Sequence, residues 1–567
     1  MTEAEQQARQ GKPLAVGLLV DDACALQHVR ELVLWAQAQP DIDISHLLVY
    51  GTPRAAPGGH APAFARLAHA LSARCMHTLM RVENILLRQS GTYRAHLSHH
   101  DLSAAVPGRI DLEAPRVQAD GGHAFDAAAV ARVREQQLDV LLCCGPGLPT
   151  GDMLDAARLG VLRMHFGDSA SEQAGPAGFW ECFHRLPSTA FAIQRLSGAR
   201  SDEVLVRGRF ATRISFLQNQ AHLYRKANVH LQGLLQSIAA QRRMPASQPR
   251  RLAGPPPGRQ HLPLGGPPGT VHILRYAMRT LGRAAVKGAQ RALSLRRKFG
   301  ISIVQSDWRH ADLRQAVEVA SPKGRFWADP FLWKAPDGRL FCFVEDYVYA
   351  RRRAHISVLE VIGTKVMDLG AVIAEPFHLS FPYLFAYQGD LYMCPECSDS
   401  EQIRIYRCTG FPQQWELAAV AMDGVSAADT ILFERGGRWW MLTSIDKSGV
   451  KDHCSELYLF SNDSPLRQGW KPFGGGNPVL IDSAGGRNAG LIAEGDRLFR
   501  LAQRQGFDRY GEGLIVNEIL TISELAYEER QVSRIDPTFR KRLLGSHHLT
   551  TTGNITVIDH VSRQFVI

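Results

Sequence analysis

The stretch from Asp429 to Ser444, DTILFERGGRWWMLTS, sets the pattern for the second half of this 567-residue chain. An apolar run, a Gly-Gly turn and a second apolar run are typical of a β-hairpin. The pattern recurs after residue 320 at intervals of about 50 residues, the period of a four-stranded propeller blade. Its five copies are centred on Asp337-Gly338, Gly389-Asp390, Gly436-Gly437, Gly495-Asp496 and Gly553. The sequence therefore predicts an all-β five-bladed β-propeller over residues 300–567.

The front of the chain alternates apolar strands with amphipathic helices. Strands are predicted at Leu14–Val20, Ile44–Tyr50 and Val140–Cys144, and helices around Val29–Trp35 and at Val130–Gln137 and Phe210–Gln241. This alternation predicts a doubly wound, parallel α/β domain over residues 12–241. Such sheets bind ligands beyond the carboxyl ends of their strands. The Gly145–Gly147 turn and the Arg163–Asp168 segment are expected on that rim.

The region between the two domains carries the excess positive charge. Residues 242–270 are predicted to be a Pro/Gly/Arg-rich linker and residues 271–299 a basic amphipathic helix. Between Gln241 and Gly300 there are 13 Arg and Lys residues and no Asp or Glu, against a net charge of +10 for the chain. Neither domain therefore favours nucleic-acid binding. Residues 271–298 suit either an anionic membrane surface or a helix that packs on its own domain with a solvated charged face.

Cysteine usage and hydropathy predict the compartment. The ten cysteines are scattered, and Cys143 and Cys144 suit a buried strand better than a disulfide. Cys394 and Cys397 form a CxxC with no second pair at zinc-finger spacing, so no metal site is predicted. The polar N-terminus and the lack of a long apolar run favour the cytoplasm, with peripheral attachment at the inner face of the membrane as an alternative.

The block Val161–Glu181, VLRMHFGDSASEQAGPAGFWE, resembles the core of formyltransferases, which move a formyl group from 10-formyltetrahydrofolate to an amine. The resemblance covers about residues 12–210 and implies a formyltransferase-like α/β domain. His165 matches the family histidine and would take the proton of the attacking amine. Gly175 and Pro176 would contact the substrate.

Three positions in this domain depart from the formyltransferase pattern. Arg163 and Ser169 stand where the family has Asn, and Arg200 where it has Asp. Arg163 could still stabilise the oxyanion, and Asp202 could orient the imidazole in place of the family Asp. The alternative is a degenerate domain that binds a substrate or acts as a scaffold.

The second half resembles the N-terminal propeller domain of plant glucosamine inositolphosphorylceramide transferases, and in outline five-bladed glycoside hydrolases. The resemblance rests on FWADPFLW at Phe326–Trp333, FVEDY at Phe343–Tyr347, EPFHLSFPYLF at Glu375–Phe385 and DTILFERGGRWWMLTS at Asp429–Ser444. The innermost strand of each blade lines the central cavity. The candidate sugar-binding residues on or next to these strands are His378, Ser380, Tyr383, Arg487, Asn488, His547 and His548.

Asp329 and Asp429 are the predicted working carboxylates, although Asp at a strand start also caps turns. Further candidate acids are Glu345, Glu396 and Glu518, and Trp327, Trp439 and Trp440 would either stack on sugars or pack in the core. The sequence predicts a carbohydrate-active protein of surface glycan or glycolipid biosynthesis that takes an amino sugar, a nucleotide sugar or a glycan. The first hypothesis is N-formylation of an amino sugar. The alternatives are a propeller-centred glycoside hydrolase or transglycosidase, and a non-catalytic glycan-binding scaffold.

Overall fold

The computed structural model describes residues 11–52, 63–86, 96–119, 121–167, 175–197, 202–245, 266–292 and 295–565. The chain forms two compact units, the first mainly of residues 11–280 and the second mainly of residues 281–565. Ser169, Arg200 and residues 246–265 of the predicted linker lie outside the described residues. The helices are α1 (Gln27–Gln37), α2 (Ala63–Leu86), α3 (Ala127–Arg134), α4 (Phe179–His184), α5 (Phe216–Gln241) and α6 (Thr270–Ala292).

The first unit is built on a seven-stranded sheet. Its strands, with those of two small sheets, are β1 (Leu14–Val20), β2 (Cys24–Leu26), β3 (Ile42–Val49), β4 (His99–Asp101), β5 (Gly108–Asp111), β6 (Arg116–Val117), β7 (Gly122–Ala124), β8 (Val140–Cys143), β9 (Leu148–Thr150), β10 (Val161–His165), β11 (Ser188–Leu196) and β12 (Glu203–Ala211). The order of the large sheet is β12-β11-β10-β8-β1-β3-β5. Strands β10, β8, β1, β3 and β5 pair in parallel, and β11 pairs antiparallel with β10. The sheet is thus mixed rather than wholly parallel.

Helices cover both faces of this sheet, because successive side chains of a buried strand point to opposite sides. Leu14, Val16 and Leu18 pack with α1 and α5 on one face. Leu19 and Leu141 pack with α3 on the other. The run LAVGLLV is therefore apolar throughout instead of alternating.

Two predicted helix boundaries are wrong. Strand β12 continues to Ala211, and α5 begins only at Phe216, after Ser215 caps it by accepting a hydrogen bond from the Gln218 backbone N–H. Helix α6 ends at Ala292, and residues 295–304 form a strand. Strand pairing is the physical reason in both places: Gly208 and Phe210 of β12 are buried at alternate positions, and residues 295–304 pair with residues 556–565.

The second unit consists of five antiparallel sheets. Its strands are β13 (Leu295–Val304), β14 (Val317–Val319), β15 (Arg325–Lys334), β16 (Leu340–Val348), β17 (Arg353–Ile362), β18 (Lys365–Ile373), β19 (Ser380–Tyr387), β20 (Asp390–Glu396), β21 (Gln402–Gly410), β22 (Gln414–Asp423), β23 (Ala427–Arg435), β24 (Arg438–Ile445), β25 (Glu456–Asn462), β26 (Lys471–Pro472), β27 (Leu480–Ile481), β28 (Arg487–Glu494), β29 (Arg497–Gly506), β30 (Arg509–Ile522), β31 (Tyr527–Ile535), β32 (Leu549–Thr552) and β33 (Ile555–Phe565). The sheets are β15–β18, β19–β22, β23–β27, β28–β31 and β14-β13-β33-β32.

The five sheets close into a ring. Strand β15 contacts β19, β19 contacts β23, β23 contacts β28, β28 contacts β32, and β32 contacts β15. We call these five strands the inner strands, and we call the line that they surround the ring axis. The last sheet takes its two outer strands from the start of the unit, where β13 pairs with β33 from Leu295 opposite Phe565 to Val304 opposite Thr556. The two ends of the unit are thereby joined by backbone hydrogen bonds.

Candidate functional site

The same backbone irregularity interrupts four of the inner strands. Pairing with the second strand of the sheet shifts just after Ala328, Ser380, Ala428 and Asn488. Positive φ angles occur there at Asp329 (46°), Phe381 (46°), Asp429 (49°) and Gly490 (117°). A bulge re-aims the side chain next to it, and Asp tolerates the left-handed region better than most residues. Asp329 and Asp429 therefore occupy equivalent positions of the first and third sheets, turned out of the strand pattern.

Asp329 connects the first sheet to the second and the fifth. Its Oδ2 accepts a hydrogen bond from the Phe381 backbone N–H at 3.2 Å, and its Oδ1 lies 3.6 Å from His547 Nε2. The other ring nitrogen of His547 contacts the carboxylate of Asp559 on β33. Asp329 thus holds the backbone of the second sheet with one oxygen and presents the other to an imidazole.

Burial and charge set the protonation of this group. Burial disfavours the imidazolium, but the carboxylates of Asp559 and Asp329 outweigh it and raise the pKa of His547 to about 9. Burial raises the pKa of Asp329 to about 6, although the positive charge of His547 works against the shift. Candidate ligand atoms of Asp329, His547 and Asp559 lie within 4.8 Å of one another, the geometry that could hold a cation. Because both ring nitrogens already face carboxylates, a metal ion would have to displace the proton that His547 holds.

Arg487, at the start of β28, bridges two further acids. Its Nε lies 2.6 Å from Asp429 Oδ2, and its Nη2 lies 3.1 Å from Asp429 Oδ1 and 2.8 Å from Glu396 Oε2. Gln503 Nε2 also donates to Asp429, at 2.7 Å. Burial opposes ionisation of Glu396, but Arg487 outweighs it and lowers the pKa of Glu396 to about 2. Asp429 is therefore the anchor of an ion pair and not a free carboxylate.

Glu345 is the acid of this group that favours its neutral form. It lies on β16 directly opposite Ala328, the residue before Asp329. Burial raises the pKa of Glu345 well above its ordinary value, and the charge of Asp329 adds to the shift. His378 Nδ1 accepts a hydrogen bond from the Ala354 backbone N–H at 3.1 Å, which places the ring proton on Nε2, 3.5 Å from Glu345 Oε1. A neutral His378 can therefore donate to Glu345.

We call Asp329, Glu345, Glu396, Asp429, Arg487, His547 and Asp559 the axial cluster. One of its members, Asp559 on β33, was not singled out in the sequence, whereas His547 was a candidate sugar-binding residue. An aromatic residue was missed altogether: Tyr510 is 37% exposed, its ring meets His547 edge-on at 5.3 Å, and the guanidinium of Arg487 lies 5.3 Å from its centroid. Its only signal in the sequence is a position just after the Asp508-Arg509 turn.

Several predicted site residues are used in packing. The Tyr383 hydroxyl donates to the Leu432 carbonyl at 2.8 Å, and Asn488 donates to the carbonyls of Asp429 and Leu442. His548 is fully buried against Phe331, and burial lowers its pKa to about 3. Ser380 is buried opposite Glu396 in the β19–β20 pair. Trp327, Trp439 and Trp440 all belong to the core.

Glu518 lies away from the ring axis, on the third strand of its sheet. Arg497 lies 2.7 Å and Arg530 2.9 Å from its carboxylate. Their hydrogen bonds lower the pKa of Glu518 to about 2. This residue is the acid of a surface ion-pair network, which removes it from the candidate acids.

The first unit holds the residues of the formyltransferase resemblance. Arg163 Nε donates to Gln194 Oε1 at 2.7 Å, and Arg163 Nη2 lies 3.7 Å from Asp202. Asp202 lines a cavity of about 610 Å³, bounded also by Gln118, Thr150 and Asp152, and His165 is not among its lining residues. Gly175 has φ 142°, and the Pro176 carbonyl accepts from the Phe179 N–H at the start of α4. Asp202 thus serves Arg163, and the cavity is separate from the histidine.

Sequence comparison relates the second unit to a known domain. Residues 314–543 match the family described as glucosamine inositolphosphorylceramide transferase 1, N-terminal. Two relatives carry the name glucosamine inositolphosphorylceramide transferase 1. The one from Arabidopsis thaliana is 32% identical over 213 residues, 36% of this chain and 27% of the relative. The one from Oryza sativa subsp. japonica is 32% identical over 215 residues, 37% of this chain and 28% of the relative.

The chain is thus homologous to that N-terminal domain, which confirms the resemblance inferred from the four segments of the second half. The matched segment spans little more than a quarter of each relative, at 27% and 28%. The family match lies in the second unit, and the formyltransferase resemblance of the first unit stays a prediction.

Solved structures with some likeness to the chain are glycoside hydrolases. An exo-β-1,3-galactanase from Phanerochaete chrysosporium has a TM-score of 0.31 at 12% identity, over 38% of this chain and 55% of that one. A family 117 glycoside hydrolase from Zobellia galactanivorans has a TM-score of 0.30 at 12% identity, over 48% of this chain and 93% of that one. The description of the ring rests on the strand pairings and contacts within the chain and not on these TM-scores.

Proposed function

We propose that residues 295–565 form a five-bladed β-propeller with a carbohydrate site on its axis, and that the protein acts in glycolipid or surface-glycan biosynthesis. The observation that carries the proposal is the axial cluster, in which acids from different sheets converge. The homology to the N-terminal domain of the glucosamine inositolphosphorylceramide transferases supports the glycolipid part.

The substrate class follows from the charge of the cluster. Five carboxyl groups surround two cationic side chains, Arg487 and His547, so the axis has an excess of acid even when Glu345 is neutral. Such a site favours a ligand that carries a positive charge together with hydroxyl groups. A sugar with a free amino group has this chemistry, and the name of the relatives includes glucosamine. Tyr510 would supply the ring face on which a sugar stacks.

Two carboxyl groups with opposite protonation are the requirement for acid–base chemistry at a glycosidic bond. Glu345 holds its proton because it is buried, and it would donate that proton to the leaving oxygen. Asp329, with a pKa near 6, is mostly ionised at neutral pH and would take the proton of the attacking hydroxyl. Transfer to a sugar or lipid acceptor is the reaction we favour; hydrolysis and simple binding are the competing outcomes.

The test is isothermal titration of the full chain with glucosamine, N-acetylglucosamine and glucose, followed by mass spectrometry of a nucleotide-activated amino sugar incubated with glycan acceptors. We expect glucosamine to bind more tightly than its acetylated form, because acetylation removes the charge. Asp329→Asn should abolish turnover with a nearly unchanged Tm, since Asn keeps both the left-handed backbone and the oxygen that caps Phe381. Glu518→Gln, outside the axis, is the matched control and should retain activity.

Each result assigns one of the alternatives. A new glycoside means transfer, a free sugar means hydrolysis, and binding without product means a scaffold. No binding of any of the three sugars at millimolar concentration would overturn the carbohydrate proposal. Because Asn keeps the capping oxygen, a large loss of stability in Asp329→Asn would mean that the charge of Asp329 is needed beside His547, and the role of Asp329 would be structural.

Formyl transfer from 10-formyltetrahydrofolate at His165 is a second proposal, and it has less support. The residues present do not make a complete set for this chemistry, because Arg163 replaces the family Asn and Asp202 pairs with Arg163. The cavity beside Asp202 is of the size that binds small ligands, but His165 does not line it. Titration with a folate analogue decides the matter: absence of binding at millimolar analogue would end the formyltransferase proposal and leave the first unit as a scaffold.

A further inference from the structure

The first unit has its exposed apolar side chains concentrated in one place. Among its described residues nine large apolar side chains are exposed, and eight of them lie on α2 and α6. They are Leu67, Leu71, Val82, Ile85 and Leu86 on α2, and Val271, Leu274 and Met278 on α6. Single exposed apolar residues are ordinary, but a cluster marks a surface that something covers.

These two helices are firmly seated by their opposite faces. Met76 and Leu79 of α2 and Ile273 and Tyr276 of α6 pack into one cluster with Phe179 and Phe216. The Tyr276 hydroxyl donates to Glu83 Oε1 at 2.6 Å, and the Ser72 and Thr270 hydroxyls lie 3.1 Å apart. Each helix therefore has one apolar face against the body of the unit and a second, outward apolar face. The contacts at both points hold the helices side by side.

The charge on the outward faces has a single sign. Helix α6 contains no Asp or Glu, and Glu83, the one acid of α2, is buried beneath Tyr276. Arg74 and Arg81 of α2 are exposed, as are Arg275 and Arg279 of α6. Partial desolvation and the charges of Arg275 and Arg185 lower the pKa of Arg279, which shows that positive charge accumulates here.

We propose that the outward faces of α2 and α6 form a docking surface for a membrane that contains anionic phospholipids. The eight apolar side chains would enter the boundary between headgroups and acyl chains, and the arginines would bind the lipid phosphates. Within the described residues no helix has the length and apolarity to span a bilayer, so the contact is interfacial. A second copy of the chain is a poorer partner, because it would bring arginines against arginines.

This proposal differs from the sequence interpretation of residues 271–298. There a single basic amphipathic helix was the membrane-binding feature. In the structure the apolar face of α6 and its neighbour α2 supply most of the surface, and α2 showed no such signal in the sequence. The proposal does not depend on the axial cluster or on any activity.

The experiment is co-sedimentation of the full chain with phosphatidylcholine vesicles, with and without phosphatidylglycerol. We expect binding to the anionic vesicles, little binding to the neutral ones, and a decrease as salt is raised. The double variant Leu274→Glu/Met278→Glu should bind at least about tenfold more weakly, because it places carboxylates where the acyl chains would be. Leu71→Glu tests the contribution of α2 in the same way.

Leu34→Glu is the matched control, since Leu34 is the ninth exposed residue and lies on α1. It should bind like the parent chain. Arg275→Gln/Arg279→Gln leaves the apolar residues in place and should flatten the salt dependence. Thermal melts of every variant establish that it is folded.

Three outcomes would overturn the proposal. The parent chain could fail to bind anionic vesicles. Leu34→Glu could lose as much binding as the double variant, which would make the effect one of net charge. Sedimentation velocity could show a dimer that Leu274→Glu/Met278→Glu dissociates, with no vesicle binding, which would assign the surface to a second copy of the chain.

Discussion

Replacing Arg487 by Gln should destabilise the second unit more than any exposed arginine would. The side chain is 12% exposed, and its partners Asp429 and Glu396 are 1% and 11% exposed. Removing one member of a buried ion pair costs about 3–5 kcal/mol, because the other charge stays buried without compensation. For a unit of this size that corresponds to a decrease in Tm of roughly 6–20 °C.

The matched control is Arg497→Gln, ten residues along the chain. Arg497 pairs with Glu518 at 2.7 Å, a distance similar to the Arg487 contacts, but it is 53% exposed. Glu518 itself is only 10% exposed, but Arg530 remains 2.9 Å from its carboxylate when Arg497 is removed. Loss of the exposed Arg497 should therefore cost about 0–1 kcal/mol, and the expected decrease in Tm is at most about 4 °C. Seven of the nine tryptophans lie after residue 300, so intrinsic fluorescence during thermal or urea unfolding reports mainly on the second unit.

The pH dependence gives an independent check. Burial already raises the pKa of Asp429 well above its ordinary value beside Arg487, and without Arg487 the pKa of Glu396 would also rise above that of the unfolded chain, about 4. A raised carboxyl pKa means that the folded state binds more protons, so stability is lost as pH increases. The loss in Arg487→Gln should therefore be larger at pH 8 than at pH 5. Adding Asp429→Asn removes one of the uncompensated charges and should recover part of the loss.

Equal decreases in Tm for Arg487→Gln and Arg497→Gln would contradict a buried ion pair at Arg487. An equal loss in Arg487→Gln at pH 5 and pH 8 would contradict it as well. Either result would mean that Asp429 and Glu396 are solvated or protonated in the folded chain, and that Arg487 is free to bind a substrate rather than committed to an ion pair.

Two further substitutions test one buried contact in each unit, at His547 in the second unit and at Tyr276 in the first. The raised pKa of His547, about 9, contributes stability that is complete below pH 6.5 and is lost as pH rises through 9. Calorimetry should therefore find the largest Tm difference between the parent chain and His547→Gln near pH 6. A constant difference up to pH 10 would contradict the ion pairs with Asp329 and Asp559. Tyr276→Phe removes a buried hydroxyl that donates to Glu83 and accepts from the Phe216 N–H. Its loss should lower the free energy of unfolding by about 1–3 kcal/mol, measured by urea unfolding followed by circular dichroism. An unchanged unfolding midpoint would mean that the Tyr276 hydroxyl does not anchor α6.

Local sequence pattern was sufficient where a continuous apolar run forms a strand that is buried on both faces. The predicted strand Leu14–Val20 coincides with β1, and the predicted strand Val140–Cys144 matches β8 to within one residue. The equivalence of Asp329 and Asp429 was also readable, because both precede the same apolar run in their repeats. The structure adds that a bulge with positive φ is what makes the two positions equivalent.

Local pattern failed where the outcome depends on a distant partner. Residues 295–298 were predicted to end the basic amphipathic helix, yet they pair with residues 562–565 at the other end of the unit. Nothing within a short window indicates that strand, since its hydrogen-bonding partner is supplied by closure of the ring.

The amino-acid sequence supplies the residue types: the acids of the repeats, the arginine before the fourth turn and the histidines before the fifth. The role of each residue depends on the neighbours that the folded chain places beside it. Asp429 became an ion-pair partner because ring closure puts Arg487 beside it, whereas Asp329 met an imidazole that Asp559 keeps protonated. The physical reason is that the pKa of a buried group depends on which charges lie within a few ångströms, and those neighbours come from strands far apart in the chain.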